Sequence, residues 1–279
     1  TFVCTLKSCG RIRAIDKGQE IHREAEREGF VENNVSLGTA LVDMYARCGA
    51  ILKAQEVFDV LPIRNVVSWT VLIAGYIQCQ NGEEALKCFE RMKYEGLSPD
   101  AVTFLSLLKA CGTIGAVDKG EEIHAMIVRN GFSLHKNALI GTALVDMYAK
   151  CGALVKAQGV FDRIKIRNIV AWNALIGGYI HHGQGREALT SFEHMKCEGY
   201  SPNIVTFIFI VTFTFTFTLL FMFVFYAFQL HHELRLQLHV HVHNHVHVHV
   251  HFYLNVHVHS DLHVHSHLHV HVHSHLHVH

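Results

Sequence analysis

Apolar residues in the first 203 positions recur with the period of an amphipathic helix, in short blocks. Within residues 66–100 two such blocks are separated by Asn81-Gly82, a pair that favours a turn. The second block ends before Gly96 and Pro99, which commonly follow a helix C-terminus. These residues therefore predict a helix-turn-helix hairpin. The first apolar stripe is Trp69, Leu72, Ile73 and Tyr76, and the second is Ala85, Leu86, Phe89 and Met92.

This hairpin pattern is repeated along the chain. The residues from Leu37 to Ala46 return with one change from Ile140 to Ala149, a shift of 103 positions. Residues 169–203 repeat both stripes of residues 66–100, and each of these units is 35 residues long. Hairpins that each leave an apolar face uncovered become stable when neighbouring hairpins stack. The sequence therefore predicts an all-α solenoid of helix-turn-helix repeats over residues 1–203.

The charge and the cysteine content of the chain reduce the number of functions that this sequence could have. The chain has 24 Lys+Arg and 24 Asp+Glu, so its formal net charge is zero. This balance excludes a binder that relies on general electrostatic attraction to phosphates, and any such binding must come from local placement of groups. The eight cysteines form no C-x-x-C pair, and their spacing indicates neither a zinc knuckle nor a disulfide framework. We expect free thiols and no metal site in the repeats.

The repeat pattern breaks after Thr206-Phe207. Residues 204–228 contain no charged residue and are long enough for a membrane span, although their alternation of Phe and Thr favours a strand over a helix. Residues 239–279 alternate Val or Leu with His, a pattern that could chelate Zn²⁺ or Ni²⁺. The first two interpretations are thus a membrane anchor and a metal-binding tract. The third is that both segments are translated simple-sequence DNA with no selected function. The monotony of both segments favours this third interpretation.

Several motifs carry a family resemblance. Residues 146–152 are Asp-Met-Tyr-Ala-Lys-Cys-Gly, residues 160–162 are Val-Phe-Asp, and residues 102–104 are Val-Thr-Phe. With the two 35-residue units, they resemble the pentatricopeptide repeat family, in the plant class that mixes three repeat lengths. The resemblance implies a partial long unit at 1–34, short units at 35–65 and 138–168, standard units at 66–100 and 169–203, and a long unit at 101–137, followed by the apolar segment 204–230 and the His/Val tail 231–279.

The resemblance also implies a ligand. Proteins of this family form right-handed superhelical solenoids that bind single-stranded RNA, with about one base for each unit. The fifth and last residues of a unit select the base, with Thr–Asn resembling an adenine pair, Thr–Asp a guanine pair, and Asn–Asn a cytosine or uracil pair. The implied target is A-G-x-A-C/U, where x falls to the long unit and its Leu105, which offers no hydrogen bond. The pairs are Thr39 with Asn65, Thr70 with Asp100, Thr142 with Asn168, and Asn173 with Asn203.

Simpler roles are open for the same residues. A Thr near a helix start, or an Asn or Asp between helices, is commonly a cap or a turn residue. Their recurrence at equivalent places in four units favours base recognition. Basic residues near unit ends could contact phosphates or could be solvated charges. These residues are Arg47, Arg64, Lys150 and Arg167.

Catalysis is not expected from this chain. Some relatives of the mixed-length class carry a zinc deaminase domain, which needs a His-x-Glu and a downstream C-x-x-C. His22-Arg23-Glu24 has the first spacing, but the sequence has no C-x-x-C. We expect no cofactor, and a separate RNA-processing or editing enzyme as a partner. The resemblance alone implies a mitochondrial or chloroplast location. Two rival hypotheses are less favoured than RNA binding. One is a membrane-anchored or metal-binding protein defined by its tail, and the other is a helical-repeat scaffold that binds proteins.

Overall fold

A computed structural model of the protein describes residues 2–31, 34–132 and 137–212, together with 214, 219, 222, 223 and 226. Every regular element among these residues is an α-helix. Twelve of the helices in this part of the chain are long and continuous. They are α1 (Phe2–Ile12), α2 (Ile15–Arg27), α3 (Val35–Arg47), α4 (Ile51–Asp59), α5 (Val66–Gln78), α6 (Gly82–Tyr94), α7 (Ala101–Ile114), α8 (Val117–Arg129), α9 (Ala138–Lys150), α10 (Leu154–Arg163), α11 (Ile169–His181) and α12 (Gly185–Cys197).

The helices form six hairpins that stack in chain order. Each odd-numbered helix packs against its own even-numbered partner and against the next odd-numbered helix, which gives a continuous row of first helices. Each second helix from α2 to α10 also packs against the first helix of the next hairpin. Among these twelve helices, the main contacts therefore run within a hairpin or between neighbouring hairpins, as in a solenoid. The predicted all-α solenoid of helix-turn-helix repeats is confirmed.

Aromatic residues join consecutive hairpins at equivalent places. The ring of Phe58 meets that of Trp69 edge to face at a centroid distance of 4.5 Å, and Phe161 meets Trp172 at the same distance. Phe58 and Trp69 are fully buried. Edge-to-face pairs of this kind add to the free energy gained from burial. The repeated aromatic positions of the sequence are thus core positions between neighbouring hairpins.

Close contact between first helices requires glycine at defined places. A Cβ atom added to Gly75 would lie 2.7 Å from the Cβ atom of Ala46, and one added to Gly178 would lie 2.6 Å from that of Ala149. Both distances are shorter than van der Waals contact, so a larger residue would push the helices apart. The small residues therefore set the spacing of the row of first helices.

The array continues beyond residue 203, where the repeats were predicted to end. Residues 204–212 are helical, Ile210 packs against the core, and the chain divides into two units only after Thr214. A strand is favoured by the sequence over residues 204–228, and this is wrong for the described residues of that segment, which are helical. Asn203 caps this helix by accepting a hydrogen bond from the Thr206 backbone N–H at 3.1 Å. This start signal outweighs the alternation of Phe and Thr.

Most residues to which the membrane, metal-binding and simple-sequence interpretations apply lie outside the described part of the chain. Among the described residues, no helix is long and apolar enough to be a candidate membrane span. The same part of the chain contains no cluster of three metal-ligating side chains. The remaining positions of 204–228 and all of 239–279 are not described, so the membrane, metal and simple-sequence interpretations stay predictions.

Two half-buried histidines predict a dependence of stability on pH. His22 Nδ1 lies 2.9 Å from the Tyr45 hydroxyl, and His124 Nδ1 lies 3.0 Å from the Tyr148 hydroxyl. Burial lowers the pKa of both imidazoles below the ordinary value of 6.5. As the pH falls, the unfolded chain therefore binds protons at these two sites at a higher pH than the folded chain does. The stability that the folded chain has above the ordinary imidazole pKa is lost as the pH falls below that value.

We expect the urea midpoint of the full chain to fall between about pH 7 and about pH 5. The double variant His22→Gln, His124→Gln should lose less stability over this interval, because neither site then takes up a proton on unfolding. Denaturation curves of both proteins at the two pH values measure this. Equal losses in the two proteins would contradict the assignment to these histidines.

Candidate nucleic-acid interface

The last residue of each predicted unit is the N-cap of the next first helix. In this position the side-chain oxygen accepts a hydrogen bond from the backbone N–H three residues later, which satisfies one of the unpaired N–H groups at the helix start. The capping role considered from the sequence is therefore present. The oxygen-to-nitrogen distances are 2.9 Å for Asn65 with Ser68, 2.8 Å for Asp100 with Thr103, 2.8 Å for Asn168 with Ala171 and 3.1 Å for Asn203 with Thr206.

A cap does not consume the whole side chain. Asn65, Asp100 and Asn203 are exposed and Asn168 is half-buried, so part of each residue stays accessible to a ligand. The cap fixes the orientation of the side chain, because the side chain is held by its own backbone. An oriented, exposed amide or carboxylate can then hydrogen-bond a ligand with little loss of side-chain entropy.

The fifth residues of the units are largely buried. Thr70, Thr142 and Asn173 each retain 8% exposure, and Thr39 is half-buried. They are the fifth residues of α3, α5, α9 and α11, and Thr70 and Asn173 contact polar side chains of the unit that follows. Leu105 occupies the same place in α7 and packs partly against the core.

Two of the predicted pairs are brought together by a third side chain that the sequence analysis did not single out. The Thr70 hydroxyl lies 2.7 Å from the Thr103 hydroxyl, which donates to Asp100 Oδ1 at 2.8 Å. In the last unit, Asn173 Nδ2 donates to Asn203 Oδ1 at 3.1 Å, and the Thr206 hydroxyl donates to Asn173 Oδ1 at 2.6 Å. Thr103 and Thr206 are each the third residue of the unit that follows the pair.

The other two pairs are not joined in this way. The Thr39 hydroxyl donates to the Val35 carbonyl of its own helix at 2.7 Å, while the Ser68 hydroxyl donates to the Asn65 backbone carbonyl. The Thr142 Oγ1 atom is buried and has no hydrogen-bond partner. Ala171 occupies the place of the third residue there and has no hydroxyl to offer.

Exposed aliphatic residues form a second set that the sequence analysis missed. They are the second residues of successive units, and each precedes the fifth residue by three positions, which places both on one helix face. The signal available in the sequence was an aliphatic residue outside the buried stripe that recurs as the second residue of five units. We call this set, with the fifth residues, the reading face. Its exposed members are Val67 at 57%, Val102 at 57%, Leu139 at 66%, Val170 at 59% and Val205 at 41%.

The basic residues considered for phosphate contact have acidic partners. Arg64 pairs with Glu95 at 3.1 Å, and Arg167 pairs with Glu198 at 2.6 Å. Arg64 also lies over the ring of Phe58. These contacts give the two arginines a structural role between hairpins.

The remaining two cations lie at the ends of first helices. Arg47 pairs with Asp43 and Lys150 with Asp146, and each cation is about half exposed. Lys150 lines a cavity of about 620 Å³ together with Asn173, Gly177 and Phe209. This cavity places a positive charge beside one predicted base-selecting residue.

Comparison with known families decides what kind of array this is. The PPR repeat family matches residues 64–113 and 167–212, and a second description, PPR repeat, matches residues 39–66 and 142–169. The chain belongs to the PPR repeat family. The matched stretches cover all or most of each first helix from α3 to α11. The match to 167–212 also extends over Thr206, beyond the predicted end of the repeats.

Relatives of the PPR array come from Arabidopsis thaliana. One pentatricopeptide repeat-containing protein is 42% identical over 208 residues, which are 75% of this chain and 28% of the relative. The protein CRR2, chloroplastic, is 42% identical over 214 residues, which are 75% of this chain and 32% of that protein. A mitochondrial relative is 34% identical over 208 residues, covering 75% of this chain and 37% of that protein. The chain thus spans about a third of the length of these relatives.

Solved structures support the same fold. The PPR array resembles the pentatricopeptide repeat protein PPR10 in a complex with an 18-nt psaJ RNA element, with a TM-score of 0.68 and 23% identity over 76% of this chain and 32% of that one. A structure of PPR10 from maize gives a TM-score of 0.65 and 24% identity over 76% of this chain and 30% of that chain. These likenesses establish the solenoid architecture.

Proposed function

We propose that this PPR array binds single-stranded RNA with sequence selectivity and supports the processing, editing or stability of an organellar transcript. The observation that carries the proposal is the reading face. In units 66–100, 138–168 and 169–203 it sets an exposed aliphatic residue beside a polar pair made by the fifth residue and the N-cap that ends the unit. A flat base with a polar edge needs both kinds of group.

The geometry suggests how one base would be held. Unstacked bases have apolar faces that would rest between the exposed aliphatic residues of neighbouring units, such as Val67 and Val102. The Watson–Crick edge of the base between them would meet Thr70 and Asp100. We propose that the units follow the mixed-length plant class and that the target is A-G-x-A-C/U, with the x facing Leu105.

The relatives support the ligand and the location. PPR10, which shares the architecture, is solved in a complex with an RNA element. The relatives include proteins named chloroplastic and mitochondrial, and on that basis we propose an organellar location for this chain. Since the chain spans about a third of those relatives, the task of the whole protein is part of the proposal.

We propose that the array binds RNA without reacting with it and that a partner enzyme acts on the bound transcript. The thiols of Cys88 and Cys111 are poor nucleophiles, since burial raises the pKa of each to about 12. His22 of the His-x-Glu spacing is bonded to Tyr45 and Glu26 rather than to a reaction site. These side chains stabilise hairpin packing.

Binding to synthetic RNA tests the proposal directly. The full chain should bind a single-stranded oligonucleotide that contains A-G-A-A-C at least about tenfold more tightly than one with the same bases in scrambled order, a difference of about 1.4 kcal/mol. Fluorescence anisotropy measures both affinities, with a double-stranded form of the target as a further control. Equal affinity for the two single strands would contradict sequence selectivity, and stronger binding to the duplex would contradict recognition of base edges.

A further inference from the structure

We infer that the third residue of a unit is a positioning residue for the base selected by the preceding unit, because it decides whether the fifth-residue hydroxyl can donate a proton. This inference rests on the proposed function and deepens it. The residues concerned are Thr103, which follows the pair of Thr70 with Asp100, and Ala171, which follows the pair of Thr142 with Asn168.

The direction of the hydrogen bonds follows from the chemistry of Asp100. An ionised carboxylate only accepts, so the short contact of Asp100 Oδ1 with the Thr103 hydroxyl uses the Thr103 proton. Thr103 then has only lone pairs left, and the contact with Thr70 at 2.7 Å requires Thr70 to donate. The Thr70 oxygen therefore meets any ligand as an acceptor only.

The equivalent junction around Thr142 lacks this chain of donors. Asn168 Oδ1 accepts from the Ala171 backbone, and Ala171 has no hydroxyl to receive a proton from Thr142. Thr142 retains 8% exposure, and its Oγ1 atom is buried and has no hydrogen-bond partner. A buried hydroxyl without a partner is costly, and a ligand group that accepts its proton would relieve that cost. Thr142 therefore meets a ligand as a donor.

This difference matches the chemistry of the purines. The ring nitrogen N1 of guanine carries a hydrogen and donates, whereas N1 of adenine has a lone pair and accepts. An acceptor-only Thr70 at that edge favours guanine, and a proton-bearing Thr142 favours adenine. Thr39 fits the same scheme, because Ser68 takes no proton from it and its proton rests on the Val35 carbonyl, from which the hydroxyl can rotate.

The long unit acquires a role in this scheme. Its own fifth residue, Leu105, offers no hydrogen bond, but its third residue, Thr103, sets the selectivity of the unit before it. In the last unit, Thr206 donates to Asn173 in the corresponding place. The helical segment after residue 203 is therefore part of the last reading position.

Exchanging the two junctions tests the inference. In the full chain, Thr103→Ala should reduce the preference for guanine over adenine at the second base by about fivefold or more. The reciprocal change Ala171→Thr should reduce the preference for adenine over guanine at the fourth base by a similar factor, because Thr142 would then have an acceptor for its proton. Anisotropy with oligonucleotides that differ only at these bases measures each ratio.

The controls separate positioning from a loss of stability. Thr103→Ser retains the hydroxyl and should restore the guanine preference, whereas a weakened helix cap alone would lower the affinity for all oligonucleotides and leave the ratio at the second base unchanged. If Thr103→Ala preferred guanine over adenine at the second base as strongly as the wild-type chain does, this inference would be overturned and the proposed function would still hold. A wild-type chain with no base preference would overturn both.

Discussion

Replacing Thr70 with Asn, with Asp100 unchanged, is expected to change the preferred second base of the target from guanine to uracil. Thr70 and Asn173 occupy equivalent places and have the same 8% exposure, so an Asn side chain fits at this position. One N–H of the new amide would donate to Asp100, as Asn173 Nδ2 donates to Asn203 Oδ1 at 3.1 Å, and the Thr103 proton would stay on Asp100. The second N–H of the amide would then face the base and meet an acceptor group of a pyrimidine.

The measurement uses four oligonucleotides that differ only at the second base. We expect the ratio of guanine to uracil affinity to fall by at least about tenfold, with a change of about 1.4 kcal/mol or more in the difference between the two binding free energies. Thr39→Asn is the matched control, since it should change the preference at the first base and leave the second unaltered. An unchanged preference in both variants would contradict the assignment of the fifth residues.

Replacing Trp69 with Ala should strongly destabilise the array. Trp69 is fully buried, its ring meets Phe58, and its Nε1 donates to Glu95 Oε2 at 2.8 Å. Removing a buried aromatic side chain of this size leaves a cavity and costs about 3–5 kcal/mol. Because contacts run only between neighbouring hairpins, the loss also weakens the connection between the two halves of the solenoid.

Urea denaturation of the full chain measures this loss. Trp172→Ala is the matched control, and it should cost about 1 kcal/mol less, because Trp172 Nε1 has no hydrogen-bond partner in the folded chain. Tyr94→Ala, at a position with 93% exposure, should leave the midpoint nearly unchanged. A similar midpoint for Trp69→Ala and Tyr94→Ala would be incompatible with the packing described.

The periodicity of the sequence was sufficient to predict the hairpins. Trp69 and Tyr76 recur on one face of a helix, and the same stripe returns at Trp172 and Tyr179, so burial determined both the sequence pattern and the structure. The expectation of a strand after residue 203 was wrong for a physical reason. An alternation of Phe and Thr indicates a strand only where no helix cap or tertiary contact fixes the local structure. Here Asn203 and Thr206 start a helix that packs on the array.

The candidate site was predictable only in part. The sequence indicated the fifth and last residues through their recurrence, yet it gave no indication that Thr103 bonds to Thr70 across a unit boundary. Hydrogen bonds between hairpins depend on the spacing and rotation of neighbouring helices, which no local pattern encodes. Val67 and Val102 were missed because a single exposed aliphatic residue is common in any protein, and only the recurrence of such residues near the helix starts sets them apart.

The junction of Thr70, Asp100 and Thr103 also bears on how such arrays can be rearranged. An exchange of DNA with its breakpoint between the codons for Asp100 and Ala101 would transfer Thr70 and Asp100 intact but would leave Thr103 behind. The heritable module for one base would then run a few residues past the helical hairpin, into the start of its neighbour. Recombinants cut at hairpin boundaries would fold correctly and yet recognise an altered base at each seam.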